Sequence, residues 1–154
     1  MIRVQQEDFD PQTEAAALTR GRTDIGAVVT FTGLVRELID NGDRSAAISA
    51  MTLEHYPGMT EKKLAEIDAE ANARWPLLES LIIHRYGRLE PGHRIVFVAT
   101  ASAHRHAAFE ANMFLMDWLK TQAPFWKLEE GKAGAAWVKA RSSDDDATKR
   151  WSKA

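Results

Sequence analysis

The chain has 154 residues and no cysteine, and its 20 lysines and arginines against 22 aspartates and glutamates give a formal net charge of −2. This length suits one ordinary domain, so we predict a single domain over residues 1–154. The near balance of charge argues against nucleic acid or a membrane surface as partner, and the missing cysteine excludes disulfides, thiolate metal sites and a cysteine nucleophile. The N-terminal sequence has no basic-then-apolar signal pattern, so a cytoplasmic location is expected.

The first third of the chain predicts a helix and a hairpin. Asp10 as N-cap and Pro11 in the first turn start the helix. Residues 25–35 are rich in β-branched and apolar side chains, which predicts a largely buried strand. A turn at residues 40–45 joins it to a second strand that ends before Pro57, and we predict that the two strands pair and that this turn moves.

The middle of the chain predicts a helix followed by two strands. Leu64, Ile67 and Ala71 recur at helical spacing, and the helix is predicted to end before Pro76. Alternating apolar residues on either side of a turn at residues 90–92 predict the two strands.

The last third predicts a long helix, a strand and a short terminal helix, and the whole order of elements is typical of an α+β fold. Phe109, Met113, Met116 and Lys120 share one helical stripe, which is interpreted as an apolar face packed in the core. Pro124 ends this long helix. Lys120 therefore lies in its last turn, at the end of the stripe.

The stretch KTQAPFWK places Lys120 and Lys127 around Pro124, Phe125 and Trp126. The carbonyl groups of a last helical turn stabilise a cation, so a purely structural role would suffice for Lys120. Lys127 follows two aromatic side chains on which its stem can lie while its amine reaches a cleft. Such an amine either acts as a nucleophile or base, or stays charged and holds an anion. The residues alone leave both alternatives open.

Further cations stand at the ends of the predicted elements. Arg36 closes the first strand, His104 and Arg105 begin the long helix, and Arg141 ends the last strand. Strand ends and helix N-termini are where backbone donors and basic side chains converge on phosphates, so these residues are candidate anion ligands. No cysteine or carboxylate at ligand spacing accompanies His104, and no metal site is expected. His84 is interpreted as a strand residue without a function.

Five stretches, in order, resemble one family, the large catalytic subunit of molybdopterin synthase: GAVVTFTGLVRE, LEHYPGM, SAHRHAAFEANMFLMDWLKTQAPFWK, WVKAR and KRW. The resemblance implies an α/β hammerhead-like fold with additional antiparallel strands. It also implies a sulfurtransferase of molybdenum cofactor biosynthesis. Such an enzyme moves sulfur from the C-terminal thiocarboxylate of a small ubiquitin-like partner subunit to cyclic pyranopterin monophosphate, and so forms the dithiolene of molybdopterin.

The same resemblance implies an assembly and a site. Two large subunits would form a homodimer with a small subunit at each end, which makes a heterotetramer, and no cofactor is expected. Matched by motif, the catalytic lysines are Lys120 and Lys127. The residues that hold the substrate and its phosphate are Arg36, His104, Arg105 and Arg141. The residues that line the channel for the partner's tail are Phe31 and Met116.

Two other classes of function stay open from the residues alone. A non-catalytic module could use the same cations to grip an acidic or ubiquitin-like C-terminal tail by strand addition in a groove. A phosphate-ester enzyme would need an acid–base pair or a metal, and no carboxylate cluster accompanies the basic residues in the sequence. How the two lysines divide their roles, and whether Arg141 serves its own subunit or the neighbouring one, is also open.

Overall fold

The computed structural model describes residues 1–37, 47–131, 134–138 and 142–152. Over these ranges the chain forms four α-helices and eight β-strands, which confirms the predicted α+β class. The helices are α1 (Pro11–Thr19), α2 (Met59–Arg74), α3 (Arg105–Thr121) and α4 (Ser142–Lys149). The strands are β1 (Ile2–Gln5), β2 (Ala27–Leu34), β3 (Ile48–His55), β4 (Leu77–Arg85), β5 (Gly87–Leu89), β6 (Arg94–Ser102), β7 (Phe125–Gly131) and β8 (Gly134–Val138). No helix in the described ranges is long and apolar enough to cross a membrane.

The strands form two four-stranded sheets. The first has the order β1-β4-β6-β2, in which β1 and β4 are parallel and the other pairs are antiparallel. The second has the order β5-β3-β7-β8 and is antiparallel throughout. The chain passes from one sheet to the other at Tyr86, between β4 and β5, where Gly87 has a φ of 90° that suits glycine. Neighbours in sequence therefore lie in different sheets at this point.

The predicted hairpin is wrong, because β2 and β3 belong to different sheets. β2 pairs with β6, and β3 pairs with β5 and β7. The close approach of β2 to β6 depends on Gly33, where a Cβ atom would lie only 2.7 Å from Val96 Cγ1. The residue pattern predicts each strand but carries no information on its partner. The turn at residues 40–45, with its predicted movement, lies outside the described residues.

Strand β2 is also more exposed than predicted. It forms an edge of the first sheet, and none of its residues is buried. Val28, Phe31 and Leu34 are 37%, 39% and 54% exposed. An edge strand has a neighbour on one side only, so an apolar sequence does not guarantee its burial.

The main core lies between the first sheet and helices α2 and α3. Its largest fully buried members are Leu64, Ile82, Val98, Phe114 and Leu115. On the opposite face of the sheet, against α1, the buried residues are Phe9, Leu81, Ile83, Phe97 and Ala99. Ile82 and Ile83 serve opposite faces because side chains alternate along a strand. Burying one such side chain contributes ~1.5–3 kcal/mol.

Helix α3 buries a different stripe from the predicted one. Phe109 and Met113 are 61% and 51% exposed. The buried stripe is Ala108, Ala111, Leu115 and Leu119. Between these residues Asn112 donates from Nδ2 to the carbonyl oxygens of Val29 and Val98, at 3.0 and 3.1 Å. Small side chains and this polar anchor hold the first half of the helix close to the sheet, so Phe109 and Met113 face away from it, whereas Met116 of the predicted stripe packs against the main core.

Candidate functional site

Side chains from both sheets and from α3 line one cavity of about 550 Å³. The cavity lies at the C-terminal end of α3, where Lys120 occupies the last turn. Phe31 of β2, Leu53 of β3, Met116 of α3 and Phe125 of β7 contribute apolar wall. A volume between ~300 and 1,000 Å³ is usual for sites that enclose small organic ligands.

Lys120 and Lys127 both line this cavity, from consecutive elements of the chain. Lys120 is exposed at the end of α3, where the helix carbonyls favour a cation. Phe125 and Lys127 lie on one face of β7, because they are two positions apart in a strand. Trp126, between them, points to the other face, where it is 41% exposed and contacts Tyr56 edge-on at 4.5 Å. The two aromatic residues between the lysines therefore have different environments, and only Phe125 belongs to the cavity.

Arg36 is the third cation at the cavity. It follows Val35, whose amide and carbonyl both form backbone hydrogen bonds with residues 92–93, so the end of β2 is anchored. Two carboxylates, Glu129 and Asp144, line the same cavity. Among the described residues, cations thus outnumber acids at the wall, and a cavity of that sign attracts anions.

His104 and Arg105 lie at the opposite end of α3. They occupy the N-cap and the first position of this 17-residue helix, and both are exposed. At about 1.5 Å per residue the helix spans ~25 Å, which separates these side chains from the cavity of their own chain. Arg141 lies outside the described residues. The predicted site residues that the structure brings together at the cavity are Phe31, Arg36, Met116, Lys120 and Lys127.

His84 also lines the cavity, although the sequence interpretation gave it no role. It is 9% exposed, and its ring stacks on Phe125 with 3.7 Å between centroids and 16° between planes. Nδ1 lies 2.9 Å from the carbonyl oxygen of Arg85. A carbonyl oxygen only accepts hydrogen bonds, so Nδ1 carries the ring hydrogen and Nε2 has the lone pair.

The electrostatic surroundings keep the His84 ring uncharged. Burial is the largest cause that lowers its pKa from 6.5 to about 4, the hydrogen bond to Arg85 opposes the change, and electrostatic interactions with Lys120, His55 and Lys127 add to it. At neutral pH the ring is therefore a neutral part of a cationic wall. Alternation along β4 is the sequence signal that could have found it, because residue 84 shares a face with Ile82, which packs beneath α3.

The cavity as a whole combines fixed cations, an apolar wall and an uncharged imidazole. Within the described ranges, no group of three or more metal-ligating side chains is placed to hold a metal ion. The cations can bind an anionic ligand and stabilise negative charge that develops in a reaction. The apolar wall limits the access of water.

Comparisons with known proteins agree on one family. A family model described as "MoaE protein" matches residues 4–122. A Pseudomonas aeruginosa protein named molybdopterin synthase catalytic subunit is 57% identical over 150 residues, which cover 97% of this chain and 97% of that protein. An Escherichia coli protein of the same name is 58% identical over 130 residues, which cover 84% of each chain.

Solved structures share the fold over nearly the whole chain. A molybdopterin biosynthesis MoaE protein from Burkholderia ambifaria matches with a TM-score of 0.82 and 51% identity, over 98% of this chain and 97% of that chain. A molybdopterin synthase structure from Staphylococcus aureus matches with a TM-score of 0.80 and 32% identity, over 89% of this chain and 96% of that chain. The likeness includes the elements that border the cavity.

Proposed function

Because this chain belongs to the MoaE protein family, we propose that it is the catalytic subunit of a molybdopterin synthase. The reaction transfers sulfur from the C-terminal thiocarboxylate of a small ubiquitin-like partner to cyclic pyranopterin monophosphate. Two such transfers form the dithiolene of molybdopterin. The observation that carries the proposal is that Lys120, Lys127 and Arg36 line one cavity of ligand size.

The cavity supplies position and charge to a reaction whose nucleophile arrives with the partner. A thiocarboxylate is already a good sulfur nucleophile, so the protein holds its sulfur against the pterin and stabilises anionic intermediates. Lys120 meets the thiocarboxylate or the substrate, Lys127 assists the transfer, and Arg36 binds the phosphate. Each transfer forms a carbon–sulfur bond at a side-chain carbon of the pterin, breaks the bond from that carbon to its oxygen substituent, which departs with the electron pair, and leaves the partner's terminal acyl group on the new sulfur. Water then cleaves the acyl–sulfur bond, which leaves a carboxylate on the partner.

A need for an apolar wall explains why Phe125 lies between the two lysines in the sequence. Phe125, with Phe31 and Met116, limits the access of bulk water to the cavity while the carbon–sulfur bond forms. Cations act more strongly beside such a wall than in open water, because the local dielectric constant is lower. In the proposed complex the partner's extended tail enters along Phe31 and Met116.

His104 and Arg105 fit the proposal across a homodimer. Both side chains are exposed at the N-terminal end of α3, which lies ~25 Å from its C-terminal end. In the proposed heterotetramer they bind the substrate phosphate in the cavity of the second large subunit. Mixing inactive Lys120→Ala chains with inactive Arg105→Ala chains should then restore about a quarter of wild-type sites, since each mixed dimer has one intact site. No recovery on mixing would contradict this arrangement.

A single-turnover assay separates the proposal from its rivals. Purified chain, thiocarboxylated partner and cyclic pyranopterin monophosphate are mixed, and the dithiolene product is followed by mass spectrometry. We expect product from the wild type, a loss of ~100-fold or more in Lys120→Ala and Lys127→Ala, and no change in Lys62→Ala, an exposed lysine of α2. Partner binding without product from the wild type would support a tail-gripping module instead.

Two further predictions belong to the same proposal. A single domain over residues 1–154 predicts that limited proteolysis trims the ends without releasing stable internal fragments. A cytoplasmic location predicts that the protein co-fractionates with a cytoplasmic marker enzyme when cells are separated into compartments.

A further inference from the structure

The ring of His84 is held on two sides. On one side Nδ1–H donates to the Arg85 carbonyl oxygen at 2.9 Å. On the other side the ring lies nearly parallel to Phe125, at 3.7 Å between centroids. The backbone is fixed as well, because residue 84 pairs with Val4 of β1 and Val96 of β6. A ring that is 9% exposed and bound in this way has little freedom to turn.

Phe125 passes this constraint on to Lys127. The two residues lie two positions apart on one face of β7, in register with His55 and Leu53 of β3. Phe125 is also the first residue of β7 after the chain leaves α3, so its stack on His84 ties the start of that strand to β4. The contact thus joins the two sheets next to the cavity.

The ring suits this place only while it is uncharged. The charged and titratable groups around it are Lys120 of α3, Lys127 and Glu129 of β7, His55 of β3, Asp144 of α4 and Arg36 after β2. Its neighbours across the first sheet are valines and carry no charge. Burial first, and then the cations, hold the pKa of His84 at about 4. A proton on the ring would place a charge in a buried position and would repel both lysines of the cavity.

We propose that His84 is a positioning residue of the sulfur-transfer site: its flat ring, stacked on Phe125, holds β7 against β4 and so keeps Lys127 in place relative to Lys120. The inference rests on the proposed function. His84 acts through Phe125 in this arrangement and needs no contact with the substrate. Its loss therefore lowers the rate of sulfur transfer more than it weakens the binding of the precursor.

Two substitutions distinguish the role of the flat ring of His84 from the role of its nitrogen atoms. His84→Phe keeps a flat, uncharged ring that can stack on Phe125, whereas His84→Gln keeps polar atoms but has no ring. In the single-turnover assay at neutral pH, we expect His84→Phe to stay within about threefold of the wild type, and His84→Gln to slow transfer ~10- to 100-fold with precursor affinity changed by less than about threefold. His106→Gln, the same change at an exposed histidine of α3, should match the wild type. Circular dichroism verifies that each variant is folded.

The pH dependence of the transfer rate, measured over the range in which circular dichroism shows that the chain is still folded, gives a second readout. The wild-type transfer rate should fall as the pH is lowered toward about 4 and the ring takes up a proton, and His84→Phe should lack this loss. Nitrogen NMR of the five histidines needs no turnover, and one ring should have a pKa well below the ordinary value of 6.5, with its hydrogen on Nδ1. The His84→Phe spectrum assigns that ring.

The possible failures can be told apart. Product from the wild type, together with a His84→Phe rate as low as that of His84→Gln, would overturn the inference alone, because a ring nitrogen would then be essential. A wild-type rate in His84→Gln, or an identical acid loss in His84→Phe, would overturn it as well. Absence of product from the wild type would overturn the proposed function and this inference with it.

Discussion

The two sheets differ in how they are covered. The first has helices on both faces, and its fully buried side chains include Ile82, Phe97 and Val98. The second buries a smaller cluster on one face, formed by Val35, Met51, Leu53 and Leu89. Its other face carries Trp126 and Trp137, which are 41% and 61% exposed. The first sheet is therefore the more completely buried of the two. The cavity lies where the less covered second sheet meets it.

The largest effect should come from the core of the first sheet. Phe114 is fully buried and contacts Trp75 and Trp151 at 5.3 and 5.5 Å between ring centroids. Phe114→Ala should lower the free energy of unfolding by ~3–5 kcal/mol, because it leaves a cavity in that core. Trp126→Ala, on the second sheet, loses an exposed contact with Tyr56 and should cost less than ~1.5 kcal/mol. Urea unfolding measures both changes, and equal losses would break the comparison between the sheets.

Acid should weaken the junction of the sheets through His84. The unfolded chain binds a proton at the ordinary pKa of 6.5, whereas in the folded chain burial, above all, lowers the pKa of this ring to about 4. The stability is therefore intact above the unfolded pKa and is lost as the pH falls from the unfolded to the folded value. The full loss is ~3 kcal/mol. Urea unfolding at several pH values should give a flatter profile for His84→Phe over this range, and superimposable profiles would contradict the assignment.

A smaller effect is expected at the edge of the first sheet. A Cβ atom at Gly33 would lie 2.7 Å from Val96 Cγ1, so Gly33→Ala requires either the Val96 side chain or strand β2 to shift. We expect a loss of ~1–3 kcal/mol in the free energy of unfolding, with slower sulfur transfer because Phe31 lies on the same strand. Val96→Ala removes the opposing methyl groups and should partly rescue the substitution in a double-mutant cycle. Strictly additive losses would show that the two residues do not press on each other.

The smallest effect should come from the surface of the first sheet. Asp8 pairs with Arg94 at 2.6 Å and with Arg85 at 3.5 Å, and its side chain is 51% exposed. The hydrogen bond from Arg94 is the largest cause that lowers the pKa of Asp8 to about 2. The carboxylate is therefore charged above that value, and its contribution is lost as the pH falls through it. Asp8→Asn should cost less than ~1 kcal/mol at neutral pH, and less in high salt, because exposed ion pairs are screened.

The sequence predicts the elements of the fold better than their partners. Capping chemistry places the start of α1, where Asp10 Oδ2 accepts from the Thr13 amide at 2.9 Å. Helical periodicity identifies α3 but not the stripe that it buries, because Phe109 and Met113 compete with a second stripe rich in alanine. Packing against the sheet decides between the two stripes. Local pattern cannot supply that information, nor can it supply the pairing of β2 with β6, which depends on the close fit at Gly33.

The residues of the candidate site were predicted from motifs. A single chain brings only some of them together. Lys120, Lys127 and Arg36 meet at the cavity, while their chemical roles stay predictions. His104 lies at the far end of α3, where a second subunit is needed to give it the predicted role. His84 escaped notice because its place depends on a stack between strands that are distant in sequence. Alternation along β4 predicts the face on which His84 lies, whereas its contact with Phe125 is known only from the folded structure.

The alternation of side chains along β7 also bears on how the segment tolerates mutation. Phe125 and Lys127 face the cavity, whereas Trp126 faces away from it. A saturation library over residues 125–127 should therefore show alternating tolerance: selection for activity restricts the two outer positions and accepts many residues at the middle one. Insertion or deletion of one residue would exchange the two faces of the strand, so that the tryptophan would point into the cavity and the lysine away from it. The segment is thus permissive toward substitution at one position in two and intolerant of any change in its length.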